Sequence, residues 1–92
     1  MLPSELLADE TKWIKGSSAR NKSGAAVDPG STTACRWCMV GAIERCGICF
    51  NDGRVKKLSY VVCDRAPFIA MFNDHERTTH ADVIRVLKEC GL

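Results

Sequence analysis

Hydrophobic side chains recur at helical spacing near the start of the chain. Leu6 and Trp13 are seven residues apart, so in a helix they would share one face. Ser4 precedes this pattern as a suitable N-cap residue, and Gly16 follows it as a suitable stop. The pattern therefore predicts a first helix over residues 4–15.

A polar stretch with many turn-forming residues follows, over residues 16–33. Its tetrapeptides NKSG and DPGS are turn signals, and the part around residues 18–27 is compatible with a short β-hairpin. Long loops in small domains are usually either functional or ordered by packing. We therefore expect this loop to be ordered and to offer a contact surface.

The segment CRWCMVGAIERCGIC, residues 35–49, predicts a second helix. Residues 31–33 (Ser-Thr-Thr) supply N-cap residues before it, and Gly47 ends it. On a helical wheel the cysteines share one arc with apolar side chains, and charged side chains share the opposite arc. This pattern places three cysteines on the buried face: Cys35, Cys38 and Cys46.

The last third of the chain contains two more helical patterns. Val55, Leu58 and Val62 fall on one helical face, although the sequence LSYVVC within residues 55–63 also suits a strand. After the short turn FIAMF, Thr79 and Asp82 form a capping box for a final helix.

Together these patterns predict a mainly α fold. We expect a small single-domain bundle of about four helices, with the long ordered loop between the first and second.

Length and composition limit the functional classes. Ninety-two residues support one core, and 46% hydrophobic with 26% charged residues is ordinary for a globular chain. No apolar run reaches the roughly 20 residues that cross a bilayer, and the N-terminus lacks the basic region of a signal peptide. These features predict a cytoplasmic protein, where the six cysteines stay reduced.

Two polar segments are candidates for a binding surface. One is basic and contains no acidic residue between its first and last lysine, which suits an acidic protein surface or phosphate groups. The other is FNDHERTT, residues 72–79, in which we expect Arg77 to pair with Asp74. The candidate contact residues are Lys12, Lys15, Arg20, Lys22, Asn73, Asp74 and Arg77.

The two C-x-x-C pairs raise the question of a metal site. Sulfur ligands of one zinc ion lie about 4 Å apart. In a helix Cys38 and Cys46 would lie about 12 Å apart along the axis, so a four-cysteine site conflicts with the helix prediction. The alternative is a mixed zinc site, since an H-x4-H interval is compatible with ligation. Its residues would be Cys46, Cys49, His75 and His80.

Catalytic patterns are weak throughout the chain. A redox C-x-x-C pair needs a thioredoxin-like order of strands and helices, and that order is missing. The chain has no phosphate-binding Gly-rich loop and no HExxH motif. We therefore expect a protein that is not an enzyme and carries no cofactor, with most thiols packed in the core.

Several short motifs in the same order resemble a small bacterial domain family of unknown function. They are WIKG, ARN-x-x-G, VDP, WCMVGAIER and FND-x-x-x-RT-x-x-DV. Phe72 departs from the family, which more often has Trp there, and Cys38 is the one cysteine that matches. The residues on the family pattern are Trp13, Gly16, Trp37, Cys38, Gly41, Ala42, Asn73, Asp74, Arg77 and Thr78.

The resemblance implies no activity, but the occurrence of such domains in bacterial and phage genomes makes a regulator or inhibitor plausible. Our leading hypothesis is a cytoplasmic protein that binds another macromolecule, a protein, without a membrane role. The alternatives are a zinc-binding module and nucleic-acid binding through the basic loop, which the small net charge of +2 does not favour.

Overall fold

In a computed structural model of the whole chain, residues 1–92, five helices pack together, and a short antiparallel ribbon lies against the second of them and against a 3-10 turn. This confirms the mainly α fold class. In chain order the elements are α1 (Pro3–Leu6), a 3-10 turn (Glu10–Lys12), β1 (Ala19–Arg20), β2 (Arg36–Trp37), α2 (Met39–Arg45), α3 (Gly53–Val62), α4 (Ile69–Asp74) and α5 (His80–Glu89).

The first helix is much shorter than residues 4–15. The Asp9 carboxylate accepts a hydrogen bond from the Thr11 amide at 2.9 Å, which begins the 3-10 turn instead of continuing the α-helix. Trp13 is then extended and forms a bridge with Trp37. Ser4 is also not the N-cap residue, because α1 begins at Pro3 and Leu2 occupies the N-cap position.

The loop before α2 is ordered and contains the expected hairpin. Arg20 forms an antiparallel bridge with Ala26, and the Asn21 side chain closes the turn by accepting the Ser23 and Ala25 amides. The other edge of β1 pairs with β2, so that Arg20 lies opposite Arg36. The indole of Trp37 donates to the Pro29 carbonyl, which ties the rest of the loop to the ribbon.

Helix α2 begins later than the cysteine pattern predicts. Trp37 belongs to strand β2 of the ribbon, so the helix starts at Met39 and Cys38 is its N-cap residue. Cys35 therefore lies outside the helix, which corrects its predicted place on the helical face. Gly47, at φ +72°, ends the helix as expected.

Helices α3 and α5 match their predictions. Residues 53–62 are helical and not a strand, with the Asp52 side chain capping the first turn. Thr79 and Asp82 form the reciprocal capping box at the start of α5.

A cluster of 19 buried hydrophobic residues, drawn from all five helices and both strands, forms the core. The residue before β1 lies very close to α2, and its carbonyl oxygen, that of Ser18, accepts the Cys38 amide at 3.2 Å. A Cβ on Gly41 would overlap this oxygen and lie 2.8 Å from the carbonyl carbon. Glycine is therefore required at this position. None of the helices has the length and apolar character of a membrane span.

Candidate binding surface

Asn73 is a fully buried polar residue near the end of α4. Its Oδ1 accepts hydrogen bonds from the Trp13 indole N–H at 2.7 Å and the Met39 amide at 3.0 Å. Its Nδ2 donates to the Ile14 carbonyl at 3.0 Å and to the Asp74 Oδ1 at 2.9 Å. We call these five residues the Asn73 hub. They join the segment after the 3-10 turn, the start of α2 and the end of α4.

Its burial removes Asn73 from the predicted contact surface. An asparagine in a polar run such as FNDHERTT is ordinarily exposed, so its neighbours in sequence gave the wrong indication. The sequence signal that pointed to this structural role was the presence of both Trp13 and Asn73 on the family pattern, because the two side chains are hydrogen-bonded to each other. Asn73 thus holds the surface segments together from inside the protein.

The two predicted surface segments meet next to this hub. The Lys15 Nζ donates to the His75 carbonyl at 2.7 Å, and the Gly16 amide donates to the Asp74 carboxylate at 2.9 Å. Apart from the half-buried His75, these residues are exposed. We define the junction surface as Lys15, Gly16, Asp74, His75 and Arg77.

Arg77 does not pair with Asp74, contrary to expectation. The Asp74 carboxylate accepts from Gly16 and Asn73 instead, and none of the four ion pairs of the chain includes Arg77. Its side chain lines an open cavity of about 290 Å³, together with Asp64, Arg65 and His75. The guanidinium of Arg77 is therefore available to a ligand or partner.

Arg65 lies in the same cavity and was not a candidate from sequence. Its Nη1 donates to the Thr78 hydroxyl at 3.1 Å and to the Asp82 carboxylate at 3.0 Å, and its guanidinium lies 5.1 Å from the Phe72 ring centre. The Thr79 amide and then Arg65 lower the pKa of Asp82 to about 2. Arg65 is thus fixed in place by an ion pair and a cation–π contact.

The other three basic candidates take no part in the hydrogen bonds that form the junction surface. Lys12 is exposed at the end of the 3-10 turn. Lys22 is exposed in the hairpin turn, and the Arg20 guanidinium folds back to the Gly24 carbonyl at 2.8 Å. The basic segment therefore does not form one surface: Lys15 lies in the junction surface, whereas Arg20 and Lys22 lie on the hairpin.

The residues of the alternative zinc site are not brought together. No group of three or more His, Cys, Asp or Glu side chains is arranged to surround a metal ion. Cys46 caps the C-terminal end of α2, and Cys49 is exposed in the loop beyond it. The His80 Nε2 lies 2.6 Å from the Leu7 carbonyl oxygen, to which it donates.

Three of the six thiols, those of Cys38, Cys46 and Cys90, lack the electrostatics of a nucleophile. The Cys38 sulfur accepts the Gly41 amide at 3.3 Å, but burial raises the pKa of this thiol. Burial likewise raises the pKa of Cys46 and of Cys90. Reactive cysteines need the opposite shift, toward the thiolate at neutral pH.

A second cavity, of about 200 Å³, adjoins the junction surface. It shares Gly16 and Asp74 with that surface, and Val40 and Ala70 add apolar walls. The cavity therefore offers both apolar and charged contacts. The remaining lining residues are Ser17, Ser18 and Cys38.

Comparison with known proteins identifies a family but no activity. A family model described as a family of unknown function, DUF6197, matches residues 4–91. No curated protein and no solved structure matches the chain.

Proposed function

We propose that this chain, which belongs to the family DUF6197, acts without catalysis by binding another protein through the junction surface. The observation that carries the proposal is the pair of contacts between the two segments. Lys15 donates a hydrogen bond to the His75 carbonyl, and the Gly16 amide donates one to Asp74. Residues far apart in sequence therefore present one continuous surface. A preorganised surface loses less conformational entropy on binding.

The surroundings of the junction surface support an interface. Helix α4 and its N-cap residue expose two large apolar side chains, Met71 at 52% and Phe68 at 66% of their surface. Ala70 of the same helix lines the second cavity. Aromatic residues, methionine and arginine are enriched at interfaces, and here Phe68 and Met71 lie on the segment that leads into the loop of Arg77.

The charges of this region favour an acidic partner. Lys15 and Arg77 make no ion pair within the chain, so a carboxylate of a partner could pair with them. The partner that fits best is a protein surface that combines acidic residues with an apolar side chain for the second cavity. A cytoplasmic inhibitor or regulator encoded by a bacterium or phage is one concrete form.

Affinity capture from the natural host tests the proposal. We compare the wild-type protein with the double variant Lys15→Glu/Arg77→Glu and with Lys56→Glu/Lys88→Glu, which makes the same charge change at exposed positions of α3 and α5. We expect one protein to be captured in stoichiometric amount by the wild type and the control but not by the first variant. Equal capture by all three, or capture abolished by nuclease, would contradict the proposal.

A further inference from the structure

We infer that the cavity lined by Asp64, Arg65, His75 and Arg77 binds a carboxylate that carries a neighbouring N–H or O–H donor. All four lining residues are polar, and the volume of about 290 Å³ is at the lower limit of ligand pockets, near 300 Å³. The cavity thus suits a small charged group. The cavity shares His75 and Arg77 with the junction surface, but the inference does not depend on the proposed function, because such a site needs no macromolecular partner.

Arg65 supplies a fixed donor. Both of its hydrogen bonds to Thr78 and Asp82 come from Nη1, which leaves the N–H groups of Nη2 and Nε without a partner in the protein. The ion pair and the Phe72 ring set the plane of the guanidinium. A guanidinium whose plane is already set binds a planar carboxylate with little loss of side-chain entropy.

His75 and Arg77 supply further donors. The His75 Nδ1 accepts the Arg77 amide at 3.1 Å, so in the neutral ring the proton is on Nε2. The Nε2–H is therefore a donor with no partner in the protein. The exposed Arg77 guanidinium also has no partner, so it is free to close on an anion.

Asp64 determines which anion is bound. Its exposed carboxylate lines the same cavity and makes no ion pair. It repels a compact dianion such as phosphate, but it accepts a hydrogen bond from a donor next to the bound carboxylate. An N-acylated amino acid, a hydroxy acid and the C-terminus of a peptide all have this combination.

NMR titration of the full chain tests the site with three probes at constant ionic strength. N-acetylglycine has the carboxylate and the N–H, acetate has the carboxylate alone, and N-acetylglycinamide has no carboxylate. We expect saturable shifts of the Arg65, His75 and Arg77 signals with N-acetylglycine, weaker binding of acetate, and none of the amide. Absence of saturable binding by N-acetylglycine would overturn the inference.

Three variants identify the residues that bind. Arg77→Gln should weaken N-acetylglycine binding about tenfold or more, because a charge-assisted hydrogen bond is lost. Asp64→Asn should reduce the preference for N-acetylglycine over acetate. The control Lys88→Gln removes the same charge about 12 Å along α5 from its start and should leave binding unchanged. Equal loss in Arg77→Gln and Lys88→Gln would contradict a specific site.

The source of the carboxylate is distinguished by one further comparison. An N-acetylated pentapeptide of alanine with a free C-terminus is titrated beside N-acetylglycine. Tighter binding of the peptide identifies a protein C-terminus as the ligand, and equal binding identifies a small acid. Each of these results requires the site, whereas failure of affinity capture would remove only the proposed function.

Discussion

The indole N–H of Trp13 donates to the Asn73 side-chain oxygen at 2.7 Å, across 60 positions of sequence. This bond joins the segment that carries Lys15 to the helix that precedes His75. Because Asn73 is fully buried and uses both ends of its amide, its orientation is fixed. The junction surface therefore depends on an internal residue.

We predict that Asn73→Ala destabilises the fold by about 3 kcal/mol. The buried Met39 amide and the partly buried Trp13 indole would lose their acceptor, and a fully buried unsatisfied donor costs about 1–3 kcal/mol. Urea denaturation of the variant measures the loss. The matched control is Asn51→Ala, at an exposed turn position, which should change stability by less than about 0.5 kcal/mol.

Asn73→Asp is the sharper form of this test. This substitution keeps the shape of the side chain and one of its oxygens. It replaces the Nδ2 donor, which faces the Ile14 carbonyl and the Asp74 carboxylate, with an acceptor. We expect a loss at least as large as that of Asn73→Ala at neutral pH. Wild-type stability in Asn73→Asp would show that the amide is not bonded as described.

Gly41→Ala should destabilise the fold by about 3 kcal/mol, the upper end of ordinary overpacking. The new Cβ would overlap the Ser18 carbonyl, a backbone group that cannot rotate away. The control is Gly53→Ala in the first turn of α3, where nothing lies within 4 Å of the added Cβ. It should be neutral or stabilising by up to about 1 kcal/mol. Similar thermal midpoints for the two variants would contradict the close approach.

The lowered pKa of Asp82 predicts a specific loss of stability in acid. The pKa is about 2 in the folded chain against 3.8 for a free side chain, so the charged form stabilises the folded state. This contribution is fully present above about pH 4 and is lost as the pH falls toward 2. We expect Asp82→Asn to lose less stability over this range than the wild type, by at most about 2 kcal/mol.

Urea denaturation between pH 5 and pH 2 measures this difference. The matched control is Glu76→Gln, which removes an exposed carboxylate that makes no ion pair. The control should follow the wild-type profile. Parallel profiles for Asp82→Asn and the wild type would show that Arg65 and Thr79 do not stabilise the charged form.

The cysteines should separate into two classes of reactivity. Cys49 and Cys63 are exposed, whereas Cys38 and Cys90 are buried and have raised pKa values. Alkylation with iodoacetamide at pH 8, followed by peptide mass spectrometry, should label the exposed pair first. The buried pair should react only after unfolding. Preferential labelling of Cys38 would instead indicate an activated thiol and support an enzymatic function.

Sequence reasoning succeeded where the information was local. The Thr79–Asp82 capping box and the apolar spacing in α3 lie within single helices, and both helices formed as expected. The ordered hairpin followed from turn residues within residues 18–27. Such features are set by neighbouring residues, so they can be recognised in one sequence.

It failed where distant contacts determined the structure. Helical spacing predicted Leu6 and Trp13 on one helix. Trp13 instead lies outside the helix, because its indole is hydrogen-bonded to Asn73 and its backbone forms a β-bridge with Trp37. The same bridge drew Trp37 into the ribbon and delayed the start of α2 at Met39. Tertiary contacts override local propensity, and one sequence does not reveal them.

Site-specific photo-cross-linking in the natural host tests whether the junction surface contacts a partner protein. A benzophenone side chain replaces exposed Glu76, between His75 and Arg77, in one variant and exposed Lys88, on the C-terminal part of α5, in another. Glu76 makes no ion pair, so this replacement keeps Lys15 and Arg77. We predict one discrete cross-linked protein from position 76 and none from position 88. A product from position 88 alone, or from neither position, would contradict the proposed contact.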